Sequence, residues 1–495
     1  MAVEKTKTVY TALDSLPYGD GIPEYESPNI RGVRLPDGVK GSALTRDVLM
    51  LAWPSLLELI LTQLTSMVDQ MMVGHLPGEE GIVALSAVGL AAQPRFLLLL
   101  MMIALNTGVT AVIARYRGQQ NFEKANQTYE QAMIMNIVLS GIFTLVGLSI
   151  SKYLIAFMGA GGVTQETLNQ ADIYLRIQLY GFIPLCMTTT TTASLRGVGD
   201  TRMPLFYNSV ANIVNVIGNY VLIYGKFGFP KMGVAGASLA TIIGQCVACV
   251  IAVSVSLSGK RSIKIDLKKK FKFDKAIFSN IVNVGVPATL DQLCLRIGMI
   301  IFVRTVAGLG EVAYATHNVL MSILGMTFMM GNAFSTASTT MMGQSLGKRR
   351  VDMAALYMRY TRKIGRYASI ALGIALIFLR VPVIAMYNNT PEVINTGKQI
   401  IVLMACIQPI QSDTFIVAGG LRGAGDTRYT AKITAFSMLF LRNVISIFAV
   451  SVLDLGLWGA WIAIVLEQFV RAALINRRYF SGKWRDIRMA DNKKS

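Results

Sequence analysis

An all-α membrane protein, with twelve transmembrane helices in two pseudo-symmetric six-helix bundles, is the fold class this chain predicts, and three observations predict it. Hydrophobic residues make up 53% of the 495 positions and charged residues only 15%, with a mean hydropathy of +0.49, well outside the usual soluble balance. Apolar runs long enough to cross a bilayer, about 20 residues each, recur along the whole length, and the short alternating segments of a β-barrel are absent. Finally, the chain is written twice: the octapeptide Leu195–Arg202 (LRGVGDTR) returns as Leu421–Arg428 (LRGAGDTR).

Other landmarks repeat in the same order. Pro54 of LAWPSLLELIL answers Pro287 of VGVPATLDQLC, and an acid stands one helical turn beyond each, Glu58 and Asp291. The stretch around Gly118 parallels that around Gly347, and GVAGASLAT from Gly233 parallels GLWGAWIAI from Gly456. Internal duplication of this kind is a mark of membrane transporters.

Taken in order, the first half offers spans with cores near 48–74, 83–113, 128–151, 171–194, 204–225 and 233–258. The second half offers 280–304, 314–342, 367–387, 396–420, 430–453 and 457–476. This divides the chain into an N-terminal tail (1–46), an N-lobe of six spans (47–258), a basic linker (259–275), a C-lobe of six spans (276–478) and a C-terminal tail (479–495). The N-terminal tail is rich in turn formers (GIPEYESPNIRGVRLPDG) and carries no apolar run, so it reads as a cytoplasmic tail and not as a signal peptide. In the repeated octapeptide, Gly197 and Gly423 are expected to close one helix, and Asp200 or Thr201 and Asp426 or Thr427 to cap the next.

A formal net charge of +19 would suggest nucleic acid in a soluble chain, but here its placement follows the positive-inside rule. Lys and Arg gather in alternate loops: Arg115, Arg117 and Lys124; Arg196 and Arg202; Lys260–Lys275; Lys348–Arg366; Arg422 and Arg428; Arg477–Lys494. The remaining loops hold little beyond Lys152, Lys226, Lys231 and Lys398. The expectation is a multi-pass protein of the cell membrane with both termini cytoplasmic, a linker resting on anionic lipid headgroups, no nucleic-acid partner and a monomeric state. The five cysteines all fall inside apolar spans, where they act as small hydrophobes and imply no disulfide framework.

Chemistry of the enzymatic kind is missing. The nearest phosphate-loop candidate, Gly343–Lys348 (GQSLGK), is one residue short and continues Arg-Arg, so it fails the motif. Only His75 and His317 could supply imidazole ligands, far apart and without HExxH, and no nucleophile motif stands out. The chain is read as no enzyme and as needing no cofactor. Its energy must come from an ion gradient.

Ionisable groups at membrane depth cost at least about 2.5 kcal/mol each on insertion scales, so each is a functional candidate. Asp69 lies in the first span, and the fifth offers Asn212, Asn215 and Asn219, the last two sharing a helix face. One carboxylate and two carboxamides can hold a proton or a small hard cation by oxygen ligation, or the asparagines can glue helices together. Glu58, three helical turns before Asp69, is a candidate relay step. The C-lobe counterpart is a polar group of Asp291, Arg296, Gln411 and Asp413, in which Arg296 is expected to neutralise Asp291 or Asp413. Glu467 and Arg471 make a structural i, i+4 pair. Arg95 and Arg442 have no assigned role.

Pro54, the sequence VDQMMVGHL of the first span and the twin LRGxGDTR turns resemble the multidrug and toxic compound extrusion (MATE) transporters, over about residues 45–480. The resemblance implies two six-helix bundles about a central cleft, rocker-switch alternating access, and export of cationic amphipathic compounds in exchange for H+ or Na+. It assigns cation coupling to Asp69, Asn215 and Asn219, with Asp69 the Na+ ligand if Na+ is used. The branch of the family with two N-lobe carboxylates has an acid where this chain has Asn219, which makes the chain more similar to the NorM-like bacterial type. That type carries acids on helices seven and ten; Gln411 stands at the tenth-helix position here, with Asp413 and Asp291 nearby. Met326, Phe328 and Met329 of the methionine-rich eighth span would line the substrate cleft, since adaptable side chains suit promiscuous binding. The alternative within the same superfamily is a flippase for lipid-linked saccharides, which Arg95, Arg296 and Arg442 keep open.

Overall fold

The computed structural model describes residues 11–19, 32–159, 163–259, 261–265, 271–387 and 390–487. Its first half runs α1 (Gly41–Gly74), α2 (Glu79–Gly118), α3 (Phe122–Met158), α4 (Gln165–Tyr180), α5 (Phe182–Val198), α6 (Arg202–Tyr224) and α7 (Gly233–Leu257). The second half runs α8 (Lys275–Ala307), α9 (Glu311–Gly347), α10 (Val351–Phe378), the short α11 (Arg380–Ala385), α12 (Pro391–Gly423), α13 (Thr427–Ala435), α14 (Arg442–Ser451) and α15 (Gly456–Phe480). A wide π-helical turn, Phe436–Leu441, joins α13 to α14. Among the described residues, nine stretches are long and apolar enough to span a membrane by length and composition. The continuous pair α4–α5 and helices α6 and α10 complete twelve crossings in the expected order.

Two local departures from the expected spans have physical causes. The fourth crossing breaks at Gly181, between α4 and α5, where an added Cβ would come within 2.6 Å of Ile242 and 3.0 Å of Gln245. The ninth begins at Val351, so the basic run expected as a loop is the first part of α10. Its hydrophobic signal starts only after Arg366, because Arg359, Arg362, Lys363 and Arg366 dilute the window without breaking the helix.

The chain divides into two compact units. One holds Leu57–Ile113 and Asn121–Phe278; the other holds Tyr10–Leu56, Ala114–Gln120 and Ser279–Ser495. In the first, a core of Val73, Ala87, Ala91, Leu175, Leu179 and Ile223 seals α1, α2, α4 and α6 together. In the second, α9, α10 and α12 enclose Ala337, Met341, Met353, Ile416 and Val417. Large apolar side chains such as Leu145, Val250, Ile300 and Phe378 point outward, 66–81% exposed. Such faces need lipid rather than water around them.

Polar residues inside the helices satisfy themselves locally. In the threonine run of α5, the hydroxyls of Thr188, Thr190 and Thr191 donate to the carbonyls of Pro184, Cys186 and Met187 one turn back, as a helix without water requires.

The duplicated landmarks touch one another, twice. Glu58 binds Arg196 of the first octapeptide at 2.8 Å, and Asp291 binds Arg422 of the second at 3.1 Å. Asp200 takes Arg261 at 3.0 Å, and Asp426 takes Arg478 at 2.6 Å. Thr110 donates to Ala193 O and Thr339 to Gly419 O, at 2.9 and 2.8 Å. The helix that leads into each octapeptide is thus tied to the first and second helices of its own half. The expected glycine roles shift by two positions: Gly199 and Gly425, at φ +93° and +89°, end the helices in the left-handed conformation. Gly197 and Gly423 remain helical and press against Thr110 O and Thr339 O of the neighbouring helix. Asp200 caps α6 through Met203 N, whereas Asp426 makes no side-chain cap.

The second unit also contains part of the N-terminal tail. Leu13 is buried, Lys348 Nζ donates to Leu13 O at 2.6 Å, and Asp14 pairs with Arg117 at 3.2 Å. Asp47 accepts from Ala12 N at 2.7 Å and from the Tyr357 hydroxyl at 2.8 Å. Burial draws the Lys348 ammonium below its ordinary pKa. The segment expected as a plain tail is therefore packed structure, at least over residues 11–19.

The ends of α2 and α9 meet with no side chain between them: a Cβ on Gly347 would overlap Arg115 O, and one on Gly118 would overlap Gln344 O. Gly347→Ala is expected to destabilise the protein by about 1–3 kcal/mol through forced backbone separation. Thermal unfolding of the purified protein in detergent measures this, and an unchanged Tm would show that the helix ends can part freely.

Candidate functional site

The first unit contains a cavity of about 310 Å³ lined from five helices. Asp69 enters from α1, Arg95 from α2, Thr188 from α5, Asn208, Asn212 and Asn215 from α6, and Thr241 and Gln245 from α7. Pockets of this kind, concave and apolar with a few convergent polar groups, are the usual form of small-molecule sites. The packing that creates it is visible locally. Gly244 sits 2.7 Å (as a hypothetical Cβ) from Ala211 O and Gly218 3.0 Å from the Ala240 methyl, so α6 and α7 run in close contact and present their polar edges together.

Asp69 Oδ1 accepts from Asn219 Nδ2 at 2.5 Å. Asn215 completes the arrangement when its amide is turned so that nitrogen donates to the same oxygen at 2.8 Å and oxygen accepts from Thr241. An ionised carboxylate demands that orientation, because it has no proton to give. Asn219 is fully buried, and among the described residues its Oδ1 has no hydrogen-bond donor. Buried acceptors rarely stay empty-handed, so this oxygen suits a proton donor or a small cation. Deeper along the wall, Arg95 reaches Gln245 Oε1 at 3.2 Å, and the amide nitrogen of Gln245 donates to Gly181 O at the break in the fourth crossing, also at 3.2 Å.

Asp69, Asn215 and Asn219 are therefore brought together as expected. Glu58 is not free beside them: Arg196 and Asn208 hold its two oxygens at 2.8 Å each. In the second unit, the group of Asp291, Arg296, Gln411 and Asp413 does not form one cluster. Asp291 belongs to Arg422, and Asp413 is gripped by Arg362 at 2.6 and 2.8 Å and by Asn476 at 2.9 Å. The ion pairs found for these two acids are thus with Arg422 of α12 and Arg362 of α10. Gln411 is buried, and among the described residues neither of its amide atoms has a partner. Of the methionine-rich residues, Met326 is exposed, Met329 is half-buried, and Phe328 packs on Phe415 with centroids 5.6 Å apart; none lines the cavity. No group of three or more His, Cys, Asp or Glu able to hold a metal occurs among the described residues.

Arg95, the other charged residue on the cavity wall, had no assigned role in the sequence. Its only local signal is Pro94 beside it within α2. Glu467 pairs with Arg471 as expected, at 3.0 Å, and Arg442 joins them at 2.6 Å.

Twelve crossings in two copies, outward apolar faces and a polar cavity at membrane depth define a multi-pass membrane transporter and not an enzyme. The MatE family model matches residues 54–221 and again 287–448, more than half the chain and once in each half. The chain belongs to the MatE family. It is 27% identical over 470 residues to the probable multidrug resistance protein NorM of Thermotoga maritima, with 94% of this chain and 95% of that one covered. Among solved structures, an outward-facing multidrug resistance MATE family transporter of the MOP superfamily shares the fold with a TM-score of 0.82 at 21% identity, over 91% of this chain and 100% of the other. A MOP superfamily transporter from Pyrococcus furiosus matches with the same score at 22% identity, over 91% of this chain and 100% of the other.

Proposed function

We propose that this protein exports amphipathic organic cations across the cell membrane in antiport with H+ or Na+, by alternating access of two six-helix lobes. Its termini lie in the cytoplasm under this reading, because the basic loops then all face inward. The observation that carries it is Asp69, a carboxylate at membrane depth held by two asparagines on a polar cavity. When ionised, it attracts an incoming proton or Na+ and also an organic cation. The two ligands compete for one charge, and competition for a single site is the simplest way to couple their opposite movements. Asn219 Oδ1 and the Thr241 hydroxyl supply the neutral oxygens that a Na+ ion would need; protonation instead allows Asp69 to donate to the Asn215 amide oxygen after the amide turns. Glu58, bound by Arg196 and Asn208, ties α1 to α5 and α6 and holds the helix in register.

The rival, a flippase for lipid-linked saccharides, calls for several cations along the substrate path. Arg95 lines the cavity, but Arg442 is buried against Glu467 in the second unit, which weakens that reading.

Everted membrane vesicles containing the protein test the proposal. Uptake of a cationic dye should be driven by an imposed Na+ gradient at fixed pH, or by a pH gradient without Na+. Absence of dye movement under both gradients would sink export by antiport.

A further inference from the structure

The cavity that holds Asp69 also holds a guanidinium. Arg95 is half-buried and reaches Gln245, and among the described residues no carboxylate lies within 4.0 Å of it. That sets it apart from four other intramembrane arginines. Arg196 has Glu58, Arg422 has Asp291, and Arg442 and Arg471 share Glu467. A cation in a membrane protein is ordinarily neutralised by a neighbour or used by a ligand. Arg95 has no such direct ion pair among the described residues; it faces the cavity it shares with Asp69, whose charge acts on it across that space.

The two charges stand at different depths. Asp69 is close to the end of α1 at Gly74, whereas Arg95 lies four turns into α2 from Glu79. Both nonetheless line one cavity, close enough for the Arg95 charge to act on the Asp69 carboxylate. A ligand that is only cationic meets the carboxylate and leaves the guanidinium facing it, like charge to like, further in. A ligand with a cationic end and a carboxylate end satisfies both.

We infer that Arg95 is a specificity-determining residue that binds the carboxylate of amphoteric substrates while Asp69 takes their cationic group. The planar fork of arginine matches a carboxylate bidentately, and Gln245 holds the guanidinium by one nitrogen, leaving its other donors for the ligand. The Gln245 link to Gly181 O fixes the approach angle, so the recognition is built from three helices rather than from one flexible side chain. This narrows the substrate class and rests on the export reading above.

A matched pair of dyes tests it: rhodamine 110, which keeps a free carboxylate, and its methyl ester rhodamine 123, which is a plain cation on the same ring system. Affinities for both are measured by fluorescence polarisation on the purified full-length protein, and transport in vesicles. The wild type should prefer the acid to the ester, and Arg95→Gln should lower that preference roughly tenfold, the worth of one charged hydrogen-bonded contact. Arg95→Lys should keep part of it. Asp69→Asn should weaken both dyes and leave their ratio in place. Because the acid and ester are compared on one sample, a poorly folded variant cannot mimic a change of ratio. An unchanged ratio in Arg95→Gln overturns the inference, as does a wild type that moves the ester and ignores the acid; export itself survives both results. A wild type that binds and moves neither dye overturns the export reading, and this inference with it.

Discussion

Asp69→Asn is expected to lose ion-driven export, by a factor on the order of a hundred, while the protein folds as before. The substitution is nearly isosteric, and its amide oxygen can still accept from Asn219 at the position of Oδ1. What it removes is the charge. A neutral amide mimics the protonated acid permanently, so the site can no longer distinguish loaded from empty, and the coupling free energy between cargo and ion, typically about 1–3 kcal/mol, disappears. Dye efflux in vesicles should fall to the rate of protein-free membranes, and dye affinity should drop, with the melting temperature preserved. Full efflux in this variant would remove Asp69 from the mechanism and send the search to the second unit. There, however, Asp291 and Asp413 are each tied to an arginine.

The duplication and the twelve crossings are legible in the sequence because each is a long-range pattern: a repeated octapeptide and a recurring apolar length. The Asp69 site is legible for a related reason, since a carboxylate and two carboxamides stand out against apolar spans. Contacts between landmarks are another matter. Glu58 and Arg196 are each visible as repeated features, matched by Asp291 and Arg422, yet nothing in their spacing says that they pair. Glu58 therefore reads as a relay step from helix geometry alone, and its two short contacts with Arg196 and Asn208 are visible only in the fold. Asp291 stands five residues from Arg296 in sequence, yet the ion pair it makes is with Arg422, 131 residues away. Arg95 is hardest of all to read, because a lone arginine in an apolar helix has the same local signature whether it faces lipid headgroups, an acid or a cavity. The packed segment at residues 11–19 escapes notice for the opposite reason: its polar, turn-rich composition hides that Leu13 and Lys348 close on each other.

Glu467 provides the second large effect, of the opposite kind. It is fully buried between Arg442 and Arg471, which are 4% and 8% exposed at their side chains, and Phe302 lies 5.8 Å from the Arg442 guanidinium. One carboxylate here serves two cations, so Glu467→Gln strips the neutralising charge from both at once. Breaking a buried pair by removing one partner costs about 3–5 kcal/mol, and with two orphaned guanidiniums the upper end is expected, seen as a Tm lower by several degrees and a poor yield of folded protein. Replacing all three together, Glu467→Leu with Arg442→Met and Arg471→Leu, should recover most of the loss, because no unpaired charge is left behind. The molecules that do fold should export dye at the normal rate, since the triad lies in the second unit and touches neither Asp69 nor Arg95. Normal stability with lost export would reverse the assignment, making this buried ion cluster part of the transport cycle and not a strut within its own unit.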